Sequence, residues 1–186
     1  MNFNKILEPG QIGRLAVRNR TVYPAIVTNM SGLSGEVTDG QIEYYSRIAE
    51  GGIGLIVVEA AYVMPDYADI EYNARATSNQ IGIYANTLIP QLNKLAKAIK
   101  DRGATAVIQL HHGGRQAHES KYPPAASAVY EEITGNSPRA LTIEEIEEIE
   151  EGFANGAVRA AKAGFDGIEI HGANGYLIAN FLSGAT

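Results

Sequence analysis

The chain has 186 residues, of which 45% are hydrophobic and 19% charged, a composition typical of a folded domain with one apolar core. Its 15 basic and 21 acidic side chains give a net charge of −6, so we expect neither a nucleic acid nor a membrane surface as a partner. The absence of Cys excludes disulfides, thiolate zinc sites and iron–sulfur clusters within these residues.

All apolar segments are short. The longest, residues 53–58, ends at Glu59 and falls well below the roughly 18 residues of a membrane span. The N-terminal segment lacks the apolar core of a signal peptide, so we expect a cytoplasmic protein.

The predicted elements follow one another in a regular order. Residues 1–20 contain two short apolar stretches around Pro9 and Gly13, which predicts a small hairpin. Beyond them, an amphipathic segment, a glycine, an apolar run and a polar residue recur three times. Apolar runs without alternation are typical of strands buried on both faces, and glycine is the preferred left-handed helix cap. The predicted strands are residues 21–27, 53–58, 104–109 and 166–170, and the predicted helices are residues 39–50, 80–102 and 142–163.

The helix starts support this order. Thr38 with Gln41, and Thr142 with Glu145, each fit a capping box, in which each side chain bonds the other residue's backbone amide. Pro24 restricts the first strand to an edge, a bulge or a short length. Strands that alternate with helices predict a parallel α/β sheet with right-handed crossovers.

Polar residues close three of the predicted strands: Glu59, Gln109 and His171. In parallel α/β folds, open or closed, ligands bind at the carboxyl ends of the strands. A polar residue can simply end an apolar strand, but three that each open an irregular loop favour a site. Two long loops, residues 60–79 and 113–141, fall at the same edge, and loops of this length often cover binding sites.

The densest polar cluster follows the last strand. His171 and Asn174 can both donate hydrogen bonds to one carbonyl oxygen and stabilise enolate-like charge on it. Tyr176 carries a neutral phenol that can deliver a proton nearby. The alternative is an ordinary turn whose His and Tyr satisfy local backbone groups.

Other chemistries lack a signature. His111 and His112 point to opposite faces of a strand, and no carboxylate stands at a ligand spacing from them, so we predict no metal site. The chain has no GxGxxG after its first strand, no phosphate-binding P-loop and no GxSxG nucleophile elbow.

Four segments occur in a characteristic order. They are Val-Arg-Asn-Arg at 17–20, Tyr44-Tyr45 followed by Gly-Gly-Ile-Gly-Leu-Ile at 51–56, Gln-Leu-His-His-Gly-Gly-Arg at 109–115, and His-Gly-Ala-Asn-Gly-Tyr-Leu-Ile-Ala-Asn-Phe-Leu-Ser at 171–183. With them the chain resembles, from Phe3 to Ser183, the N-terminal half of the Old Yellow Enzyme family of flavin-dependent ene-reductases, which includes 2,4-dienoyl-CoA reductase-like enzymes.

The resemblance implies a TIM (β/α)₈ barrel that holds FMN at the carboxyl ends of its strands. Residues 1–186 would be the N-terminal half of this domain, with about the first four βα units after an N-terminal hairpin. The resemblance also implies that NAD(P)H reduces the flavin. The substrates would be small molecules with an activated C=C bond next to a carbonyl, either enones or enoyl thioesters.

The resemblance assigns roles to single residues as well. His171 and Asn174 would bind the carbonyl oxygen of the substrate, and Tyr176 would donate a proton to the alkene. The residues that it places at the flavin are Ala25, Ile26, Val27, Ala60, Gln109 and His171.

Two alternatives to this function remain open. A sheet of four strands has two free edges that invite pairing with another chain, so the second hypothesis is a non-catalytic half-barrel that self-associates as a homo-oligomer. The third is a different TIM-barrel enzyme, such as a lyase or an aldolase. It is disfavoured because no Lys stands at the end of a predicted strand to form a Schiff base.

Overall fold

In the computed structural model, which describes residues 4–66, 73–132 and 134–186, strands and helices alternate along the chain. The helices are α1 (Asn4–Leu7), α2 (Asp39–Glu50), α3 (Ile89–Lys100), α4 (Ile143–Lys162) and α5 (Leu177–Leu182). The strands are β1 (Gly10–Ile12), β2 (Leu15–Val17), β3 (Val22–Tyr23), β4 (Leu55–Tyr62), β5 (Thr105–His111), β6 (Pro124–Ala125), β7 (Arg139–Ala140) and β8 (Gly167–Ile170).

One parallel sheet organises the described residues. Its four strands stand in the order β3, β4, β5, β8, so β3 and β8 are its outer strands. This order confirms the predicted parallel α/β topology. β1 and β2 pair antiparallel as the predicted hairpin, and β6 and β7 form a short parallel ladder that we did not predict within the second long loop.

The strand bounds differ from the prediction most in β3 and β4, and β5 also continues past residue 109 to His111. β3 is shorter than predicted and ends at Tyr23, because the Pro24 nitrogen has no hydrogen to donate to a ladder. β4 is longer and continues to Tyr62, with a bulge between Val58 and Ala61 in its pairing with β5. The bulge therefore lies at the carboxyl end of the strand, where ligands of such sheets bind.

The predicted helix over residues 80–102 is wrong in its first part. α3 begins only at Ile89, after a short 3₁₀ turn at Asn86–Leu88. The preceding segment is extended, with Gly82 bridged to Tyr62 and with Ile81 and Ile83 fully buried. Apolar residues two apart are typical of a strand rather than of a helix, so the segment packs as an extension of the sheet.

The helix ends follow the predicted chemistry closely. Both capping boxes form, one at Thr38 and one at Thr142, with the side-chain and backbone bonds made in both directions. Gly103 (φ 80°) and Gly164 (φ 85°) adopt the left-handed conformation just after α3 and α4. After α2 it is Gly52 (φ 89°) rather than Gly51 that does so.

The two faces of the sheet have different surroundings. Alternate side chains of β4 and β5, among them Ile56, Val58 and Ile108, are buried against the helices in the larger apolar cluster. On the opposite face, Val57 and Val107 form a small cluster with Val17 of the hairpin. At the carboxyl ends of the strands, this second face continues into the candidate site.

Two structural findings bear on the function classes considered above. Within the described ranges, no helix combines the length and the hydropathy that crossing a bilayer requires. The same residues contain no group of three or more His, Asp or Glu side chains arranged to hold a metal ion.

Candidate active site

Inward-facing side chains of β5 and β8 build the floor of the site. Side chains alternate between the faces of a strand, so Gln109 shares a face with His111. Gln109 pairs in register with Glu169, and the Gln109 Nε2 donates to Glu169 Oε1 at 2.6 Å. His111 and His171 follow two residues further along their strands. The site therefore has two levels along the strands: a lower level with the amide–carboxylate pair, and an upper level with two imidazoles nearer the carboxyl ends.

Three rings meet at the upper level. The centroids of His171 and Tyr176 are 4.9 Å apart with an interplanar angle of 85°, and those of His111 and Tyr176 are 4.5 Å apart at 82°. The rings of His111 and His171 are 5.2 Å apart. Edge-to-face packing of this kind fixes the orientation of each ring. The structure thus brings together two predicted site residues and His111, which the sequence had suggested only as a rejected metal ligand.

A tight turn carries Asn174 and Tyr176 away from β8. Asn174 (φ 57°) and Gly175 (φ 75°) are consecutive left-handed residues, and Asn is one of the few side chains that adopt this conformation readily. The Gln116 Nε2 donates to the Asn174 carbonyl oxygen at 2.9 Å, and the Asn180 Nδ2 donates to the Gly175 carbonyl oxygen at 2.9 Å. The turn is therefore held from the preceding loop and from α5, and the Asn174 side chain is exposed.

The loop after β8 fixes the tautomer of His171, and burial keeps its ring neutral. The Ala173 backbone N–H donates to His171 Nδ1 at 3.2 Å, so the proton of the neutral ring lies on Nε2. Burial lowers the pKa of His171 below its usual value, and the nearby Glu169 carboxylate opposes this only in part. His171 is therefore a neutral hydrogen-bond donor at physiological pH.

His111 is held in the same way by Gln80. The Ala76 backbone N–H donates to Gln80 Oε1 at 2.6 Å, which fixes the orientation of the amide. The Gln80 Nε2 then donates to His111 Nδ1 at 3.0 Å and to the Ala60 carbonyl oxygen at 2.8 Å. Burial drives the pKa of His111 well below its usual value, so this ring is also neutral, with its proton on Nε2.

The segment after β3 leaves the sheet at the same edge, beyond the carboxyl end of that strand. Ile26 and Val27 are 49% and 40% exposed, and Ala25 is half-buried beside the small inner cluster. The segment is anchored directly after Val27, where Thr28 donates from its backbone N–H and from its hydroxyl to the Glu59 carboxylate at 2.6 and 2.7 Å.

Glu59 does not line the rim as we expected. Its side chain is fully buried and also accepts a hydrogen bond from Gln41 Nε2 at 2.7 Å. The bulge in β4 accounts for this, because it breaks the regular alternation at residues 59 and 60. Ala60, next in the chain, is buried, and its carbonyl oxygen is the one held by Gln80.

These residues suit the isoalloxazine ring of a flavin. An apolar segment that is partly exposed, a bulged backbone and the half-buried Gln109 amide all stand at the same edge of the sheet. The Gln109 side-chain amide bonds Glu169 through its Nε2. Such a combination offers an apolar surface for a ring face and polar groups for a heteroatom edge. Glu169, the partner of Gln109, is a site residue that the sequence reasoning missed.

A family model of NADH:flavin oxidoreductase / NADH oxidase proteins matches residues 5–186. The chain belongs to this family. It consists of FMN-dependent oxidoreductases that take NAD(P)H as reductant, which confirms the predicted cofactor chemistry at the level of the family.

Individual relatives match all or nearly all of the chain. An NADH oxidase of Thermoanaerobacter brockii is 40% identical over 100% of the chain and 28% of its own length. An NADPH dehydrogenase of Clostridium acetobutylicum is 38% identical over 96% of the chain and 51% of its own length. The chain thus spans about half, or less, of the relatives that it matches.

Solved structures agree with this membership. A 2-naphthoyl-CoA reductase has a TM-score of 0.90 at 30% identity, and the match covers 100% of the chain and 30% of the reductase. Morphinone reductase has a TM-score of 0.83 at 27% identity over 96% of the chain and 50% of its own. Old Yellow Enzyme from Pichia sp. AKU4542 has a TM-score of 0.83 at 26% identity over 97% of the chain and 49% of its own. These matches confirm the predicted fold class: a partial TIM barrel of βα units.

Proposed function

We propose that the protein containing this chain is an FMN-dependent reductase of activated C=C bonds in α,β-unsaturated carbonyl substrates, with NAD(P)H as reductant. In this proposal residues 1–186 are the N-terminal half of the barrel. The packing of a neutral His171 against Tyr176, with ring centroids 4.9 Å apart, is the observation that carries it. A hydrogen-bond donor and a phenol at this spacing can serve two positions of one small conjugated molecule.

His171 and Asn174 bind the substrate's carbonyl oxygen. The His171 Nε2 carries the ring proton because Nδ1 already accepts from Ala173, and the exposed Asn174 amide stands on a turn that is held at both ends. As negative charge builds up on the carbonyl oxygen, both hydrogen bonds strengthen, and they need no rearrangement to do so. Neutral donors are suited to this task because they polarise the substrate without protonating the oxygen.

Tyr176 donates a proton from its phenol oxygen to the α-carbon of the alkene. Its ring is fixed edge-on by His111 and His171, so its hydroxyl is directed rather than mobile. FMN, when bound, supplies the hydride chemistry, with NAD(P)H as the reductant. The residues proposed to hold it are Ala25, Ile26, Val27, Ala60, Gln109 and His171.

Replacing Tyr176 tests the proton-donor role in the full-length enzyme. We expect Tyr176→Phe to slow reoxidation of the reduced enzyme by cyclohexenone by about 10²–10⁴-fold, the usual contribution of a positioned general acid. Reduction by NAD(P)H, followed by flavin absorbance in a stopped-flow instrument, should stay near the wild-type rate because it needs no proton from Tyr176.

Tyr130 provides a matched control, since it lies on a loop and is 57% exposed. Tyr130→Phe should leave both half-reactions unchanged. Equal losses in the two half-reactions of Tyr176→Phe would remove Tyr176 from the proton-donor role.

A second candidate, self-association, is favoured by one observation. The outer strand β8 exposes Ile168 (36%) and Ile170 (57%), and beside it an apolar groove of about 490 Å³ is lined by Ile146, Phe181 and Leu182 among others. An uncovered strand edge next to an apolar groove invites pairing. Light scattering on residues 1–186 expressed alone should then give a dimer mass, and Ile170→Lys should return the monomer mass. A monomer mass for the unaltered chain would contradict this candidate.

A further inference from the structure

Gln80 is a buried amide whose hydrogen bonds connect three separate parts of the site. Its side chain is 1% exposed. The Oε1 atom accepts from the Ala76 backbone, while Nε2 donates to the Ala60 carbonyl oxygen and to His111 Nδ1. One side chain thus joins the loop before α3, the bulge of β4 and the upper level of the site.

His111 passes this connection on to Tyr176. Its ring is 1% exposed and lies between Gln80, bonded at 3.0 Å, and the Tyr176 ring, packed edge-on at a centroid distance of 4.5 Å. Because the Gln80 amide cannot rotate without losing Ala76, the plane of the His111 ring is fixed. The fixed ring in turn limits the positions open to Tyr176.

Simple core packing does not explain a histidine here. His111 Nε2 is buried and has no hydrogen-bond partner among the described residues. A buried polar group without a partner is destabilising, and a phenyl ring of similar shape would avoid this cost. The imidazole therefore contributes something that packing alone would not need, and its Nδ1 acceptor for Gln80 is the contact that a phenyl ring would lack.

We propose that Gln80 and His111 form a positioning pair that aligns the Tyr176 phenol with the β4 bulge at Ala60. Neither residue is catalytic: each acts through Tyr176. The inference rests on the proposed function, because it assigns a purpose to the orientation of the proton donor. A displacement of the phenol by about 1 Å can cost up to about 10²-fold in rate, so the alignment has a measurable consequence.

The test distinguishes the role of the His111 Nδ1 as a hydrogen-bond acceptor from the packing of its ring against Tyr176. In the full-length holoenzyme, His111→Phe keeps a ring against Tyr176 but removes the acceptor, and Gln80→Leu removes the donor. We expect each to slow reoxidation by cyclohexenone about 10- to 100-fold, with reduction by NAD(P)H near normal. The double variant should be no slower than the worse single variant, since both changes break one connection.

Matched controls use the same substitutions elsewhere. Gln91→Leu replaces an amide whose Oε1 has no partner among the described residues, and His118→Phe replaces a partly exposed loop histidine. Neither should alter the half-reactions. A quinone, whose reduction needs no protonation of carbon, should reoxidise the His111 and Gln80 variants at the wild-type rate.

An independent readout is the tautomer of His111 by ¹⁵N NMR of the histidine-labelled protein. The wild type should show an unprotonated Nδ1 and a protonated Nε2, and Gln80→Leu should shift this signal while His118 stays unchanged.

The outcomes divide the two proposals. If Tyr176→Phe is slow and both His111→Phe and Gln80→Leu react normally with cyclohexenone, the positioning pair is wrong and the proposed function stands. If Tyr176→Phe itself reacts normally, the proton-donor role of Tyr176 and the positioning pair both fail, while the observed reduction of cyclohexenone still supports the proposed reductase activity. Strictly additive losses in the double variant, or a His111 signal that ignores Gln80→Leu, would also overturn the pair.

Discussion

The helix-covered face of the sheet and its carboxyl-end edge are held by different kinds of interaction. On the covered face, Ile56, Val58 and Ile108 pack among apolar side chains with little or no exposure. At the edge, polar side chains bond backbone groups far away in sequence: Gln80 to Ala60, and Gln116 to Asn174. Apolar packing on the covered face contributes most of the folding free energy and does not depend on exact bond directions. The hydrogen bonds at the edge contribute less to stability but fix the orientation of the groups that they join. We therefore expect mutations on the covered face to change mainly the free energy of unfolding, and mutations at the edge to change mainly the rate of alkene reduction.

The largest effect on stability should come from the covered face. Ile108 is fully buried, and Ile108→Ala should lower the free energy of unfolding by about 2–5 kcal/mol, through lost burial and the cavity left behind. Chemical denaturation of the full-length protein measures this. Ile143→Ala, the same change at a residue that is 66% exposed, should stay within about 0.5 kcal/mol.

In the folded fraction of Ile108→Ala, the ratio of the two half-reaction rates should match that of the wild type. A selective loss of alkene reduction would show that the covered face also shapes the site, and the contrast between the regions would fail.

Sequence reasoning succeeded on the covered face for a physical reason. Uninterrupted apolar runs and reciprocal caps such as Thr142 with Glu145 are local signals, and they predict which segments are strands and which are helices. It failed where structure depends on distant partners. Ile81 and Ile83 lie in an extended segment that bridges Tyr62 of β4. Their spacing of two is a weak local signal, and the strand that pairs with the segment is brought in only by folding.

The site shows the same division. His171, Asn174 and Tyr176 stand in one short segment, so their common location could be predicted from the sequence. The burial of Glu59 could not, because its donors Thr28 and Gln41 are brought in by folding. The contact between His111 and Gln80 joins residues 31 apart and carries no signature in either segment.

Acid should reveal an intermediate effect from the edge. Burial lowers the pKa of His112 to about 3, against about 6.5 in an unfolded chain. The folded state therefore keeps this ring neutral while the unfolded state gains a proton. The contribution of His112 to the free energy of unfolding is therefore fully present above pH 6.5 and is lost as the pH drops toward 3. The slope from this residue is about 1.4 kcal/mol per pH unit.

His112→Asn should reduce that slope by about the same amount in denaturation curves taken between pH 6 and pH 4. The carbonyl oxygen of Asn can replace the His112 Nδ1 as acceptor for the Gly114 N–H, so the local hydrogen bond is kept. His118→Asn, the same change at a partly exposed position, is the matched control. An unaltered slope in His112→Asn would mean that other groups govern the acid response.

The smallest change in stability should accompany a clear change in function. The bond from Gln116 to the Asn174 carbonyl oxygen is exposed, so Gln116→Leu should cost no more than about 1 kcal/mol. The same bond holds a left-handed turn whose side chain is proposed to bind the substrate. Its loss should raise the KM for cyclohexenone and slow reoxidation about 10-fold, because a loosened Asn174 binds the carbonyl oxygen less often in the productive geometry. Asn155→Leu, which removes an exposed amide bond to Glu151 on α4, is the control and should alter neither quantity. If Gln116→Leu instead destabilised the protein as much as Ile108→Ala does, the turn would be part of the core, and the division between a packed face and a directed edge would not hold.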